Sequence, residues 1–312
     1  MQPLAGKLVV DLTRYLPGPF ASRELLRLGA RVVVIEPPDG DPMRATAPGW
    51  HAALNAGKES VVCDLKAEDG LVLARALADR ADIVLDGFRP RVLERLGLRV
   101  PQRAVLCSIT GFGVGGPHER RVGHDVNYLG FAGALADTAP ALPPVQIADL
   151  AAGALGAVVE ILAALLAGGG ARITVSMTHN SHRLVAHRLT GDPMPRMLTG
   201  GPPCYAIYPT ADGRWLTVGA LEPKFWRRLC ELIGREDLGA RQWDATAVDE
   251  LAELFRQRSL AAWLELFGDE EVCVGPVLTI AEAEAELGAD ATPARAAAVG
   301  EHTRAWRSEL GL

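Results

Sequence analysis

Cysteine is scarce in this chain. Five residues in 312, Cys63, Cys107, Cys204, Cys230 and Cys273, are scattered, odd in number and never spaced C-x-x-C. That excludes a disulfide framework and a cysteine zinc site, and it fits a reducing, cytoplasmic setting. No block of Lys or Arg occurs, nor any stripe in which aromatics alternate with basic residues. The formal net charge is −6 with both signs interspersed, so nothing in the chain is built for nucleic acid. The first stretch, "MQPLAGKLVVDLTRYLPG", lacks an apolar h-region and a small-residue cleavage site, and no signal peptide is expected. Uninterrupted apolar runs of membrane-spanning length are missing too. The nearest, "VQIADLAAGALGAVVEILAALLAGGG", is broken by Asp149 and Glu160. Charges near a helix centre are costly in lipid, so the run reads as a helix in a globular core, with no membrane partner. Internal repeats are absent, and low complexity is confined to Ala-rich stretches.

What is present is a globular chain with 49% hydrophobic residues, long enough for two domains of about 150 residues each. The first half alternates element types. "KLVVDL" reads as a buried strand, "FASRELLRL" as an amphipathic helix stopped at Gly29, and "ARVVVIE" as the next strand. The pattern continues through "SVVCDL", the helix of "AEDGLVLARALADR", "ADIVLD", the helix "RPRVLERLGL", and "RAVLCSI", with "ARITVSM" a further strand beyond the long apolar helix. Such alternation predicts an α/β fold, a Rossmann-like open parallel sheet with helices on both faces. The dinucleotide fingerprint is nonetheless missing. After the first strand the chain reads "TRYLPGPFAS", with Pro17 and Pro19 where G-x-G-x-x-G would need flexible, close-approaching backbone. Glu36 ends the second strand where a ribose-binding acid can sit, but alone it reads as a solvated strand-end carboxylate. From 178 to 203 the chain carries four Pro and several Gly without a period, which reads as a linker. Beyond it, "CYAIYPTADGRWLTVGAL" predicts a hairpin turning at Ala211-Asp212-Gly213, with helices in "EPKFWRRLCELIG" and "VDELAELFRQRSLAAWLELF". That makes a smaller α+β domain.

The segment "GHDVNY", Gly123 to Tyr128, sets a His beside an Asp just after the Gly-rich "SITGFGVGGP". Together with "LPGPFAS", "NAGKESVVCDLK", "FRPRVLERLGL", "ADLAAG", "TADGRWLTVGALEPKFW" and "CVGPVLTIAEA", in that order along the chain, it resembles the alpha-methylacyl-CoA racemases of the family III CoA-transferase superfamily, CaiB/BaiF type. The resemblance covers about residues 4 to 177, 199 to 284, and the tail "GEHTRAWRSELG". It implies the family III CoA-transferase fold and an isomerase that inverts a carbon alpha to a thioester carbonyl. One group removes the proton, an enolate forms, and a second group returns a proton on the other face. In the resemblance His124 and Asp149 are those two groups. An imidazole, ordinarily near pKa 6.5, can hold or release a proton at neutral pH. Asp149 opens the apolar helix, where free backbone N–H groups and the dipole would favour an enolate oxygen. The same dipole favours the ionised carboxylate, so burial must restore its basicity. Ala151, Ala152 and Gly153 are small enough to let a thioester approach. Glu222 in "GALEPKF" matches a third polar site residue from the small domain. Asp125 reads as an anchor for a loop turn.

Coenzyme A is expected as part of the substrate, with no other cofactor and no metal. Arg89, in the stretch matching F-R-P-G, and Lys58, in the stretch matching R-G-K-R-S, are its expected binding residues. The chain departs from the pattern at Val34 and Pro37, which stand where relatives carry basic residues, and at Arg91, which replaces the Gly after Arg89-Pro90. Met177, Met194 and Met197 are candidates for a tolerant apolar groove, or for ordinary packing. Expected domains are 1–182 with 288–312 for the large Rossmann-like, CoA-binding domain and 199–284 for the small one, joined by linkers 183–198 and 285–287. Relatives are longer around 178–198 and 285–298, and the resemblance implies an interlocked homodimer. Three activities stay open: a racemase or epimerase of 2-methyl-branched acyl-CoA thioesters, a CoA-transferase with Asp149 as nucleophile, and a non-catalytic acyl-CoA-binding protein.

Overall fold

The computed structural model describes residues 2–191, 193–288 and 295–312. Of the expected divisions, residue 192 of the first linker and residues 289–294 of the large domain's return segment therefore lie outside the described residues, whereas the second linker, 285–287, is described and closes the helix Ile280–Leu287. The chain divides into two compact units, 1–187 with 292–312, and 188–291.

In the first unit six short strands form one parallel sheet: β1 (Leu8–Asp11), β2 (Arg31–Glu36), β3 (Glu59–Val62), β4 (Ile83–Asp86), β5 (Val105–Thr110) and β6 (Arg172–Ser176). Their order is β3-β2-β1-β4-β5-β6. The central strands β1 and β4 are buried, β-branched and apolar up to their closing Asp because both faces are covered, while the edge strand β6 is partly exposed. Side chains alternate between faces: Val9, Val32 and Ile83 join one core, Val10, Val33 and Val84 the other. Helices α1 (Pro17–Arg27), α2 (Pro48–Asn55) and α3 (Glu68–Arg80) follow the first three strands in turn. Later come α4 (Asp125–Phe131), α5 (Ala148–Leu166) and α6 (Met177–Leu184). Leu25 of α1 with Ala154 and Ile161 of α5 cover the first face; Leu73 and Leu77 of α3, with Trp306 of the C-terminal helix Thr303–Leu310, cover the second.

Three local expectations change. The stretch "RPRVLERLGL" yields only one helical turn, Val92–Arg95. The segment read as linker from 178 begins inside α6, whose start is capped by Ser176, its Oγ accepting the His179 N–H at 3.3 Å. The first turns of α5, Ala148–Leu155, are π-helical before the α-helix proper from Gly156. Among the described residues α5 is the one helix long and apolar enough to cross a membrane. Its Ala148, Ala152, Ala154, Ala157 and Ile161 are buried in the unit.

The second unit is α+β. Antiparallel β7 (Tyr205–Pro209) and β8 (Trp215–Gly219) form the expected hairpin, with β9 (Val274–Pro276) on the far side of β8. Gly213 takes the left-handed φ of 72° that the turn requires. The stretch read as one helix is two, Ala247–Phe255 and Leu260–Phe267, because Ser259 caps the second. Trp226 and Trp263 are the largest core side chains, and each indole N–H is satisfied by a carbonyl, Leu238 and Phe255 respectively.

Candidate active site

In this strand order the chain reverses direction across the sheet between β1 and β4, and a crevice opens there at the strands' carboxyl ends. A buried carboxylate ends each of these strands. Asp11 accepts the Thr13 N–H at 2.8 Å and the hydroxyls of Thr13 and Ser22. Asp86 accepts the Phe88 N–H at 2.8 Å and the Ser108 hydroxyl at 3.1 Å. Burial pushes the Asp86 carboxyl above its ordinary range, against the pull of those two bonds. Two similar turns thus fold the β1 and β4 loops outward and leave a cleft of about 320 Å³ between them. Sequence reasoning passed over both aspartates, although each closes a buried apolar strand, as in "LVVD" and "IVLD".

His124 and Asp149 both line this cleft. His124 is exposed and sits just before α4. Its backbone N–H donates to Asn127 Oδ1 at 3.0 Å, and its carbonyl accepts the Asn127 N–H at 2.8 Å. Asp125, the next residue, turns its Oδ1 onto the backbone N–H of Asp149 at 2.9 Å. That bond joins the start of α4 to the start of α5, and with it the histidine to the aspartate. Tyr128 is buried, donates its hydroxyl to the Gly123 carbonyl and stands edge-on to Phe112 at 5.3 Å. Gly111 meets the Tyr128 ring so closely that a Cβ would strike it. The "GHDVNY" segment is therefore a rigid bracket: Asn127 and Tyr128 hold the turn, Asp125 ties it to α5, and His124 is left free to face the cleft.

Burial first, then the neighbouring Asp125 carboxylate, push the Asp149 carboxyl up to about 6, while His124 pulls the other way. Burial is thus the largest cause of the raised basicity. One expectation is corrected here. The N–H groups of Asp149 and Leu150 are already given to Asp125 Oδ1 and to the Gln146 carbonyl, so these first donors of α5 are not free for an enolate oxygen. Nor does Gly153 leave room for a thioester. It is buried, and a Cβ there would lie 3.0 Å from Met177 Cγ. Met177 itself lines the cleft, whereas Met194 and Met197 belong to the second unit.

The remaining expected residues separate. Arg89 lines the cleft. Lys58 does not: it is buried, and its ammonium donates to Pro19 O at 2.8 Å, Ser22 Oγ at 2.7 Å and Asn55 Oδ1 at 3.0 Å. All three protons are used, and burial pushes its pKa down to about 8. Through Ser22 it reaches Asp11, so Lys58 braces α1 against β1 and α2 and has no donor left for a phosphate. Glu222 is exposed and belongs to the second unit, just before helix Pro223–Leu232. No group of three or more His, Cys, Asp or Glu among the described residues is arranged to hold a metal.

The sequence pattern of CoA-transferase family III matches residues 4–296. The chain belongs to that family. Alpha-methylacyl-CoA racemase of Homo sapiens is 34% identical over 309 residues, covering 89% of this chain and 78% of that protein. Succinate–glutarate CoA-transferase of Agrobacterium fabrum is 32% identical over 268 residues, covering 74% and 66%. A solved structure of a CaiB/BaiF family protein from Brucella suis matches with a TM-score of 0.83 over 99% of both chains at 26% identity. The fold is accordingly that of the family III CoA-transferases, and the family contains both racemases and transferases.

Proposed function

We propose that this protein is a racemase or epimerase of 2-methyl-branched acyl-CoA thioesters, working by 1,1-proton transfer. The observation that carries the reading is the His124 and Asp149 pair on one cleft, tied together by Asp125. The Asp149 carboxylate takes the α-proton, and the C–H electron pair moves into the thioester carbonyl to give an enolate. The His124 imidazolium then delivers its proton to the opposite face. Asp149 is left protonated and His124 neutral, which is the arrangement needed to invert the other enantiomer. A carboxyl near 6 can serve as base in one direction and acid in the other at neutral pH. Arg89 would meet a phosphate of the coenzyme. Glu222 would assist protonation from the small domain of an interlocked homodimer, in a cytoplasmic setting.

A second reading has support of its own, since a CoA-transferase matches this chain at 32% identity over 74% of its length, against 34% over 89% for the racemase. There the Asp149 carboxylate would attack a donor thioester, expel the CoA thiolate and form an acyl anhydride. Incubation with 2-methylacyl-CoA in deuterated water separates the two. Deuterium at the α-carbon with loss of stereochemical purity, reduced on the order of 10² to 10⁴ in His124→Ala and in Asp149→Ala, is the result expected of the racemase. Transfer of CoA to a carboxylate acceptor, with hydroxylamine trapping at Asp149 and no exchange, would establish the transferase. Binding with neither reaction would leave a non-catalytic acyl-CoA-binding protein.

A further inference from the structure

Asp125 joins α4 to α5 at their starts, and helix α6 joins the same two helices further along. His182 Nδ1 donates at 3.0 Å to the carbonyl of Ala132, the residue that closes α4. Two residues earlier, Asn180 Nδ2 donates to the Ala152 carbonyl of α5 at 2.9 Å. Residues two apart on a helix point to nearly opposite sides, about 200° around the axis, so α6 holds one neighbour with each side. Its own start is fixed as well. Thr178 donates through N–H and Oγ1 to the Gly111 carbonyl, at 2.9 and 2.8 Å, and both Gly111 and Met177 line the cleft.

The Asn180 bond falls where α5 is irregular. In a regular α-helix the Gly156 N–H would go to the Ala152 carbonyl, four residues back. Here it is shared by the carbonyls of Gly153 and of Ala151, five residues back. Asn180 gives the Ala152 carbonyl a donor in its place. The other end of the amide fixes its orientation, since Oδ1 faces Arg183 Nη1 at 3.5 Å and a guanidinium can only donate. Gly156 makes the room: a Cβ there would lie 2.8 Å from Asn180 Nδ2. The π-helical turns start at Ala148 and carry Asp149. Each π-type bond closes over one residue more than an α-type bond, so relaxation to α-helix, with the rest of α5 held in its core, would swing Asp149 by about 100° around the axis.

We propose that α6 is a strut that sets the spacing and facing of His124 and Asp149, with Asn180 and His182 as its positioning residues. Asn180 holds the π-helical register that carries Asp149. His182 holds the far end of the helix that follows His124. Each acts through the helix it grips, not by contact with the substrate. That the strut serves proton transfer rests on the racemase reading of the cleft; that Asn180 holds the register of α5 does not.

The test compares the wild type with Asn180→Ala, Gly156→Ala, the variant carrying both, His182→Ala and His182→Asn, whose amide can donate from the place of Nδ1. In α-deuterium exchange of 2-methylacyl-CoA, Asn180→Ala, Gly156→Ala and His182→Ala are expected to lose about tenfold to a hundredfold in kcat with KM changed less than about twofold. His182→Asn should recover most of that loss. The variant carrying both Asn180→Ala and Gly156→Ala should be no slower than either alone, because both changes break one contact. A second measurement is independent of turnover: titration of the Asp149 carboxyl by carbon NMR in aspartate-labelled protein, its signal assigned by its loss in Asp149→Asn. Asp125 and His124, the ionisable groups that act on it, are the same in every variant. In Asn180→Ala and Gly156→Ala the titration is expected to move down towards the ordinary carboxylate range as Asp149 turns out of its buried place. An Asp149 that titrates as in the wild type in both variants overturns the hold on the register. A loss confined to KM, or one as large in His182→Asn as in His182→Ala, overturns the positioning role. A wild type without exchange whose Asp149 titration still shifts in the variants would sink the racemase reading and leave the strut standing.

Discussion

Asp149 shows how a single carboxylate is set between stability and chemistry. Its acidity is weakened by burial and by the Asp125 carboxylate, so the folded protein holds this proton more tightly than the unfolded chain does. The sign follows from that difference. Below the ordinary carboxylate range both states are protonated and Asp149 costs nothing; as pH rises through that range towards about 6 the cost grows, and above 6 it is fully present. Asp149→Asn should therefore stabilise the protein at pH 7.5, on the order of 1–2 kcal/mol after allowance for partial exposure, and the gain should vanish by pH 3.5. Urea denaturation of both proteins at the two pH values checks this; an equal effect at both would mean that ionisation is not its source. The same neutralisation should lower turnover on the order of 10² to 10⁴, the trade of stability for a working site. That His124 and Asp149 belong together was legible in the sequence because the motifs around them were, and both line one cleft. The Asp125 bond that links His124 to Asp149 was not, since it joins segments 24 residues apart and neither segment's local pattern records it.

At the scale of elements, the six strands of the sheet could be read directly, because each is a short β-branched stretch set between turns and helices and the central ones are buried on both faces. Helix α6 could not. "MTHNSHRL" has weak helix propensity, and its folding depends on distant partners: Thr178 donates to the Gly111 carbonyl through both N–H and Oγ1, at 2.9 and 2.8 Å, and Asn180 donates to the Ala152 carbonyl at 2.9 Å. The last bond reaches into the π-helical start of α5, an irregularity of a type that often marks functional sites. The β1–α1 turn was legible only for what it is not. Pro17 suits the first turn of α1, where its missing N–H costs nothing, and Gly18 is required by contact, since a Cβ there would collide with the Thr13 side chain. Thr13 is fixed to Asp11 and cannot retreat. Gly18→Ala should then destabilise the protein by about 1–3 kcal/mol and lower activity by disturbing two residues that line the cleft. Gly116→Ala, with open space around it, is the control and should change neither. Urea midpoints and the α-exchange rate measured on both variants decide it; matching behaviour of the two would show that Thr13 yields.

For the whole molecule, the question is what completes the site. The outward side of α5 carries Leu155, Val159 and Leu166, 45%, 64% and 91% exposed, at helical spacings of four and seven that place them on one face. A homodimer, implied by the resemblance, would cover such exposed apolar side chains. Glu222 lies beyond residue 188, in the second unit, so its part in the chemistry depends on which chain's His124 and Asp149 it serves. Differently tagged chains, one carrying Asp149→Ala and the other Glu222→Ala, can be co-expressed and the mixed dimer isolated. If sites are shared between copies, one site joins the intact His124 and Asp149 of the second chain to the intact Glu222 of the first, and the other site carries both defects. If each site is formed within a chain, every site carries one defect. Exchange activity near half that of wild type, with both homodimeric variants inactive, is the outcome expected of sharing. Activity no higher than the homodimeric variants would assign each site to a single chain and leave Glu222 to act on its own copy.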